Sequence, residues 1–214
     1  MLTVTLFTFN PLQENTYLVY NEKGETLVVD PGCYFTAEEE TLSHFIAENN
    51  LTPTKLINTH CHLDHVFGNK WVYETYGLEL HIHSKEEKVL AFAPISGEKW
   101  GIPFVNYQAP IHFLYENDSI FLGDDELKIL LTPGHSPGSI SFYSAQQNFI
   151  ISGDVLFYES IGRTDLPGGS FELLAQSIQQ QIYTLPDETI VYNGHGKPTT
   201  VGHEKRFNPY VKSV

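Results

Sequence analysis

Short apolar runs alternate with polar turns along the whole chain. Residues 2–9 alternate apolar and polar side chains, which is the period of a half-buried strand. Other short apolar runs, bounded by Gly, Pro, Asn and Asp, also predict strands. In chain order the predicted strands cover residues 2–9, 16–20, 26–29, 54–58, 78–82, 119–122, 126–132, 139–143, 149–152 and 189–192.

Helices are predicted between these strands in both halves of the chain. A hydroxyl residue followed three positions later by glutamate, the capping-box pattern, opens two of them. The last helix has apolar residues at relative positions 0, 3, 4, 7 and 11, which form one buried stripe. The helices are predicted to start at Thr36 (with Glu39) and Ser84 (with Glu87) and to cover residues 66–76, ended by Gly77, and 171–183. Residues 93–117 are predicted to be irregular, and loops of that length in a compact domain are usually functional or disordered.

This succession of strand meanders and helices predicts an α+β fold with two mixed sheets packed face to face and helices on their outer faces. Hydrophobic residues make up 41% of the chain and charged residues 18%, as in ordinary globular proteins. Its mass of 24.3 kDa suits a single domain over residues 1–214.

The charge and the cysteine content exclude several classes of protein. The formal net charge is −14, which disfavours nucleic acid and anionic membranes as partners. No apolar run approaches the roughly 20 residues needed to span a bilayer, and the N-terminal residues lack a signal-peptide pattern. Two cysteines do not make a disulfide framework. We therefore expect a cytoplasmic protein with reduced thiols.

A cluster of histidines follows the predicted strand 54–58. His60, His62, Asp64 and His65 form the pattern H-x-H-x-D-H. Such a cluster can be a solvated loop or part of a packed core. Its regular order favours a metal site instead, because imidazole nitrogens and carboxylate oxygens are the donors that zinc, iron and manganese take.

Three later residues have the same relation to a strand. His135, Asp154 and His195 each follow a predicted strand, and each has glycine beside it, which lets the backbone bend close to a site. Each one alone could be an ordinary turn residue. Because strand ends at one edge of a sheet lie side by side, these residues can gather with the histidine cluster.

The motifs together resemble a known family. THCHLDH, TPGHSPGS, SGD and NGHG resemble the metallo-β-lactamase superfamily, and VVDPG, GRTDLPGGS and GHGKPTTVGHEKRFNP resemble its glyoxalase II-like (hydroxyacylglutathione hydrolase-like) branch. The resemblance runs from about residue 15 to residue 210. It implies a four-layer αββα sandwich with a dinuclear metal site along one sheet edge.

The resemblance also implies a role for each motif residue. Two divalent ions are implied, with zinc as the first expectation and iron or manganese as the alternatives. Asp64 and Asp154 are implied to be catalytic, and Asp30 to support the metal loop without binding metal. The implied ligands are His60, His62 and His135 for one ion and Asp64, His65 and His195 for the other, with Asp154 bridging both.

Several other polar residues have less specific interpretations. Strand alternation would point Cys61 away from the metal, so we expect it to pack in the interior, and Cys33 is expected to be a buried free thiol. His81 and His83 are expected to belong to the packing of their strand. Arg163 either forms a structural ion pair with the nearby Asp165 or grips a substrate carboxylate. The aromatic residues Trp100, Phe104 and Tyr107 either line a substrate wall or fix a long loop to the core.

The implied site predicts a hydrolase. Two divalent ions can share one water and lower its pKa, which gives a metal-bridging hydroxide as the nucleophile. No acid beyond the ligands stands out, so the leaving group should depart readily as an anion, as a thiolate does. We therefore expect hydrolysis of a small thioester of the hydroxyacylglutathione type.

Other functions use the same scaffold. The alternatives are a persulfide dioxygenase with a single iron and a lactone hydrolase. A β-lactamase is disfavoured because no secretion signal is evident, and an RNA-processing nuclease is disfavoured by the acidic charge. A non-catalytic metal protein is disfavoured because structural zinc sites are usually closed by four ligands. Glyoxalase II proper continues past its last metal histidine into a helical glutathione-binding domain. We expect no such domain here, and a weaker KM for glutathione thioesters.

Overall fold

The computed structural model describes residues 1–213, and the chain divides into two compact units. The first unit consists of Met1–Leu114 with Leu122–Asp125, and the second of Tyr115–Phe121 with Glu126–Val214. The prediction of a single domain over residues 1–214 stays a prediction.

The first unit contains a six-stranded mixed sheet with the strands in the order of the chain. The first three strands form an antiparallel meander, and the third to sixth run parallel to one another. The strands are β1 (Thr3–Phe9), β2 (Glu14–Tyr20), β3 (Glu25–Val29), β4 (Thr52–Ile57), β5 (Leu80–His83) and β6 (Ile111–Leu114), and the helices are α1 (Thr36–Glu48), α2 (Leu63–Val66), α3 (Asn69–Tyr76) and α4 (Glu87–Trp100).

One face of this sheet forms the core of the first unit. Alternating positions on the strands, among them Leu18, Val28 and Leu56, are fully buried there. Leu42 of α1 and Val72 of α3 belong to the same cluster. The helices are therefore held mainly by their apolar stripes, each large side chain contributing about 1.5–3 kcal/mol of burial.

The second unit contains a sheet in the order β14-β13-β10-β9-β8-β7. Strand β10 runs parallel to β13, whereas β9 runs antiparallel to both of its neighbours. The strands are β7 (Ser119–Leu122), β8 (Asp125–Leu131), β9 (Ile140–Ser144), β10 (Phe149–Gly153), β13 (Ile190–Asn193) and β14 (Thr199–Thr200), with a separate hairpin of β11 (Leu156–Phe157) and β12 (Ser160–Ile161) and the helices α5 (Phe171–Ser177) and α6 (Val201–Phe207).

Strand direction places the polar motifs at one edge of each sheet. In the first unit, β3 and β4 are parallel and Val29 pairs with Ile57, so the segments that follow them begin side by side. In the second unit, β8, β10 and β13 run in one direction, because β8 and β10 are both antiparallel to β9. The carboxyl ends of these three strands therefore meet at the same edge.

Three of the predicted boundaries are wrong. The predicted helix 66–76 is two helices, α2 and α3. The segment 93–117 is only partly irregular, because α4 continues through Pro94 to Trp100 and β6 lies within the same range. The predicted helix 171–183 is α5 followed by a π-helical turn, in which the Tyr183 N–H donates to the Ile178 carbonyl at 2.7 Å.

The cap of α1 also differs from the prediction. Phe35 is the N-cap residue, and Glu38 takes the place expected for Glu39. Glu38 Oε2 accepts from the backbone N–H groups of Tyr34 at 2.8 Å and Phe35 at 3.0 Å. Over residues 1–213, no helix is both long and apolar enough to cross a membrane.

Candidate metal centre

The first group of candidate ligands follows β4 in the first unit. The His60 ring centroid lies 4.9 Å from that of His62 and 4.1 Å from that of His65. Asp64 Oδ2 lies 3.9 Å from His65 Nε2. His60, Asp64 and His65 are all buried. The structure therefore gathers these four predicted residues into one group, referred to below as the first ligand group.

Asp30, at the end of β3, organises the first ligand group. It has a positive φ of 48°. Oδ1 accepts from the Thr59 N–H at 2.7 Å and from Asn58 Nδ2 at 3.2 Å. Oδ2 accepts from Thr59 Oγ1 at 2.5 Å and lies 3.0 Å from His65 Nδ1. Because both oxygens are engaged, Asp30 orients the group, although its carboxylate is close enough to His60 and His65 to be a ligand.

This hydrogen bonding fixes which ring nitrogen of two histidines is available to a metal. Asp30 can only accept, so His65 carries its proton on Nδ1 and keeps the Nε2 lone pair available. His60 Nδ1 lies 3.1 Å from Thr59 Oγ1, which again leaves Nε2 to face a metal.

Two buried polar residues near this group were missed by the sequence analysis. Asn10 Nδ2 donates to the backbone carbonyls of Gly32 at 3.0 Å and Asp64 at 3.1 Å. Glu14 is fully buried on β2, where burial raises the pKa of its carboxyl well above the usual value, and its Oε1 lies 3.8 Å from His65 Nδ1. The available signal was the polar sequence ENT opening a strand whose first six residues are all buried.

The thiol groups lie where the sequence analysis expected them. Cys61 and Cys33 are free and buried, and burial raises the pKa of both thiols. The Cys61 N–H donates to Glu86 Oε2 at 2.8 Å. Over residues 1–213, the groups of side chains close enough to share a metal ion do not include Cys61.

The second group of candidate ligands lies at the strand ends of the second unit. Asp154 Oδ2 lies 3.4 Å from His135 Nε2 and 3.6 Å from His195 Nε2. The side chains of His135 and Asp154 are almost fully buried, and that of His195 is partly exposed. One carboxylate oxygen thus faces two imidazole nitrogens in what is called below the second ligand group.

The loop after Asp154 fixes the second ligand group. His135 Nδ1–H donates a hydrogen bond to the backbone carbonyl of Arg163 at 2.8 Å, so that His135 presents Nε2 to Asp154. Gly162 has no room for a side chain, since a Cβ there would collide with the Asp154 carbonyl and come within 3.2 Å of His135 Cβ.

The Arg163 side chain is occupied by the ion pair that the sequence analysis considered. Its Nε and Nη2 donate to the two carboxylate oxygens of Asp165 at 2.7 and 2.8 Å. The paired guanidinium lowers the pKa of Asp165 to about 2. In the structure, the fork of Arg163 therefore faces a carboxylate of its own loop.

The aromatic residues of the 93–117 segment divide between core and surface. The Tyr107 hydroxyl donates to the Pro110 carbonyl at 2.5 Å and accepts from the Leu80 N–H at 3.0 Å, which fixes the segment to the core. Phe104 packs edge-on against Phe67. Trp100 is 55% exposed.

The donors of both groups fit a divalent metal. Neutral imidazole Nε2 atoms whose Nδ1–H groups are held by a carboxylate or a carbonyl, together with carboxylate oxygens, are the donor set of zinc and iron sites.

Comparison with known proteins identifies the family. The sequence profile described as "Metallo-beta-lactamase superfamily" matches residues 9–195. The chain belongs to the metallo-β-lactamase superfamily. Its fold class, α+β with two mixed sheets and helices, is that of this family, as predicted.

Two curated relatives carry names that describe hydrolysis. The chain is 38% identical over 202 residues to the probable metallo-hydrolase YqgX of Bacillus subtilis (strain 168), covering 94% of this chain and 93% of the relative. It is 33% identical over 214 residues to the hydroxyacylglutathione hydrolase GloC of Haemophilus influenzae, covering 99% of both chains. Membership of this family of metal-dependent hydrolases confirms the coarse part of the functional prediction.

Two solved structures are similar over almost the whole chain. The crystal structure of BLEG-1 B3 metallo-β-lactamase has a TM-score of 0.89 at 37% identity, covering 98% of this chain and 99% of that one. The structure of TTHA1623 in a di-iron-bound form also has a TM-score of 0.89, at 35% identity, covering 97% of this chain and 100% of that one.

Proposed function

We propose that the protein is a dinuclear metallohydrolase that cleaves a small thioester of the hydroxyacylglutathione type. The observation that carries the proposal is the position of Asp154, whose Oδ2 faces the Nε2 atoms of both His135 and His195. A carboxylate between two imidazoles suits a bridge between two ions. The name of the Haemophilus influenzae relative supports the substrate class.

In this proposal both ligand groups supply metal ligands. The ions are zinc, with iron or manganese as alternatives, since the same donors accept several first-row metals. A di-iron form of a similar structure supports a two-metal occupancy. The proposed ligands are His60, His62 and His135 for one ion and Asp64, His65 and His195 for the other, with Asp154 shared and Asp30 outside the ligand set.

When bound, the ions supply a Lewis acid for the carbonyl oxygen and lower the pKa of water, so that attack needs no serine or cysteine. The protein holds the donors in place. Asp30 keeps the proton of His65 on Nδ1, and the Arg163 carbonyl does the same for His135. Asp64 and Asp154 are the proposed catalytic carboxylates, and both stay close to a histidine Nε2.

The chemistry of the leaving group distinguishes a thioester substrate from an amide substrate. Cleavage of an amide needs a proton donor for the amine, whereas a thiolate, with a pKa of about 8.5, departs without one. None of the residues with a proposed role is a separate general acid, and this favours a thioester over an amide as the substrate. The similarity to BLEG-1 makes a β-lactam the second substrate class to test.

The test combines metal analysis with a substrate panel. The panel contains a hydroxyacylglutathione, a simpler thioester, a lactone, a β-lactam and glutathione persulfide with oxygen uptake monitored. We expect up to two metals per chain and cleavage of the thioesters. Oxygen uptake without thioester cleavage would assign a persulfide dioxygenase instead, and selective turnover of the lactone would assign a lactone hydrolase. A preparation that binds no metal after reconstitution would overturn the central proposal.

A further inference from the structure

Two residues after His195 the chain carries a cation, Lys197, that the proposed mechanism does not use. Lys197 Nζ sits 3.4 Å from the centroid of the Tyr158 ring. The ring of Phe157, the residue before Tyr158, stands perpendicular to the His195 ring at 6.1 Å. Lys197 thus covers the ring of Tyr158, and Tyr158 directly follows Phe157, whose ring contacts His195.

Three other basic side chains of the second unit have partners that occupy them. Arg163 pairs with Asp165, and Lys205 pairs with Asp187. Lys212 Nζ donates to a backbone carbonyl. Lys197 is exposed, and over residues 1–213 no carboxylate forms an ion pair with it.

The ring under Lys197 is itself held firmly. Tyr158 stacks on His203 of α6, with centroids 4.8 Å apart and the planes at 19°. His203 Nε2 lies 3.1 Å from Glu159 Oε1.

The fully buried Glu204 accepts from the Glu159 N–H at 3.0 Å and from Thr199 Oγ1 at 2.5 Å. The β11–β12 turn is thus fixed to α6, and the Lys197 backbone carbonyl accepts from Asn193 Nδ2 at 2.9 Å.

We propose that Lys197, which follows His195 by two residues and is held on the Tyr158 ring, binds a carboxylate that the substrate carries apart from its reacting carbonyl. This inference rests on the proposed function, because it places the reacting carbonyl at the metal centre. The ring attracts the ammonium and restricts its rotamers, so less side-chain entropy is lost when an anion binds. A local cation also offsets the repulsion that a chain of net charge −14 exerts on an anionic substrate.

The chemistry of a single ammonium favours a carboxylate over a phosphate. A lysine offers a compact point charge, whereas a phosphate dianion usually draws several donors or a bidentate guanidinium. The guanidinium of Arg163 is paired with Asp165. The carboxylate could belong to the thiol part or to the acyl part of a thioester, and the experiment separates the two.

The kinetic test uses three substrates and the metal-loaded protein. The acetyl thioester of 3-mercaptopropionate carries its carboxylate on the thiol, the succinyl thioester of N-acetylcysteamine carries it on the acyl group, and the acetyl thioester of N-acetylcysteamine is neutral. We expect Lys197→Met to raise KM for one of the anionic substrates about tenfold, the effect of losing a hydrogen bond to a charged group, with kcat little changed. KM of Lys197→Met for the neutral substrate should stay within about twofold of the wild-type value, because that substrate has no carboxylate for Lys197 to bind.

Matched variants exclude a general charge effect and a structural effect. Lys128→Met removes an exposed lysine from β8 in the same unit and should leave all three KM values unchanged. Lys197→Arg should keep most of the preference for the anionic substrate over the neutral one. Tyr158→Phe keeps the ring and should also keep the preference, whereas Tyr158→Leu should weaken it.

Calorimetry provides a readout that does not depend on turnover. In the ligands, the S-acetonyl thioethers of 3-mercaptopropionate and of N-acetylcysteamine, a ketone replaces the thioester. If the wild type cleaves no thioester but binds the anionic thioether more tightly than Lys197→Met does, the proposed function fails and the carboxylate site stands. If thioesters are cleaved and Lys197→Met changes the KM of all three substrates equally or not at all, the proposed function stands and the carboxylate site is overturned.

Discussion

His65 Nδ1 lies 3.0 Å from Asp30 Oδ2, and this hydrogen bond joins residues 35 positions apart in the chain. Asp30 follows β3 and the His60–His65 motif follows β4, and the two strands are parallel neighbours. The same carboxylate also accepts from Asn58 and Thr59. A single residue outside the motif therefore sets the orientation of the motif and the tautomer of its last histidine.

Replacing Asp30 by Asn should weaken metal binding. Asn tolerates the positive φ of this position, so the change removes mainly the charge and one acceptor. We expect metal affinity to fall about 10–100-fold, the usual effect of losing a partner that orients a metal-binding histidine. Competition with a metal chelator would measure it. An unchanged affinity would show that His65 does not depend on Asp30.

Asp154→Ala and Cys61→Ala should have opposite effects. If Asp154 is shared by both ions, its removal should lower kcat/KM at least about a hundredfold and reduce the bound metal, because it takes away a ligand itself. Cys61→Ala should cost about 1 kcal/mol of stability, as a small buried truncation does, and leave metal content near the wild-type value. Metal analysis and steady-state kinetics distinguish the two. Loss of metal from the Cys61 variant alone would contradict the ligand assignment.

Gly162→Ala should damage the second ligand group. The added Cβ would collide with the Asp154 carbonyl, so the backbone must shift at an expected cost of about 1–3 kcal/mol. Metal content should fall together with the melting temperature. Gly77→Ala is the matched control, because Gly77 ends α3 at a φ of 69° with nothing within 4 Å of an added Cβ. It should cost about 1 kcal/mol of stability without loss of metal.

His81 should make the metal-free protein sensitive to acid. Burial, with the Lys55 ammonium next in effect, lowers the pKa of His81 from 6.5 to about 4. His112 stacks on the same ring and pairs with Glu79. The folded state favours neutral His81, so the unfolded chain takes up this proton first. The stability contributed by His81 is complete above pH 6.5 and is lost as the pH falls towards 4.

The measurement for His81 is urea unfolding in the presence of a chelator at about pH 4.5 and about pH 7, on either side of the range in which its unfolded-state pKa lies. His81→Gln keeps a neutral polar side chain that does not titrate in this range. The variant should lose less stability than the wild type between the two pH values. An identical loss in both proteins would show that His81 does not contribute to the acid sensitivity.

Much of the fold followed from local patterns. The alternation of residues 2–9 and the apolar run 149–152 predicted β1 and β10, because burial on one or both sheet faces imposes those patterns directly. Prediction stopped short where tertiary contacts override local preference. α4 continues through Pro94, and α5 passes into a π-helical turn that the 3.6-residue stripe could not reveal.

The sequence by itself determined the types and the order of the candidate ligands. His60, His62, Asp64 and His65 lie within six positions of the chain, and His135, Asp154 and His195 each follow a strand, so the residue order alone predicts a metal site. Only the tertiary structure decided which atoms form the contacts that orient these candidate ligands. Asp30 and the Arg163 carbonyl are 35 and 28 residues from the histidines that they orient, and Glu14 reaches His65 from another strand. The physical reason is that the tautomer of a histidine depends on the acceptor facing its other nitrogen, and that acceptor comes from wherever the chain folds back.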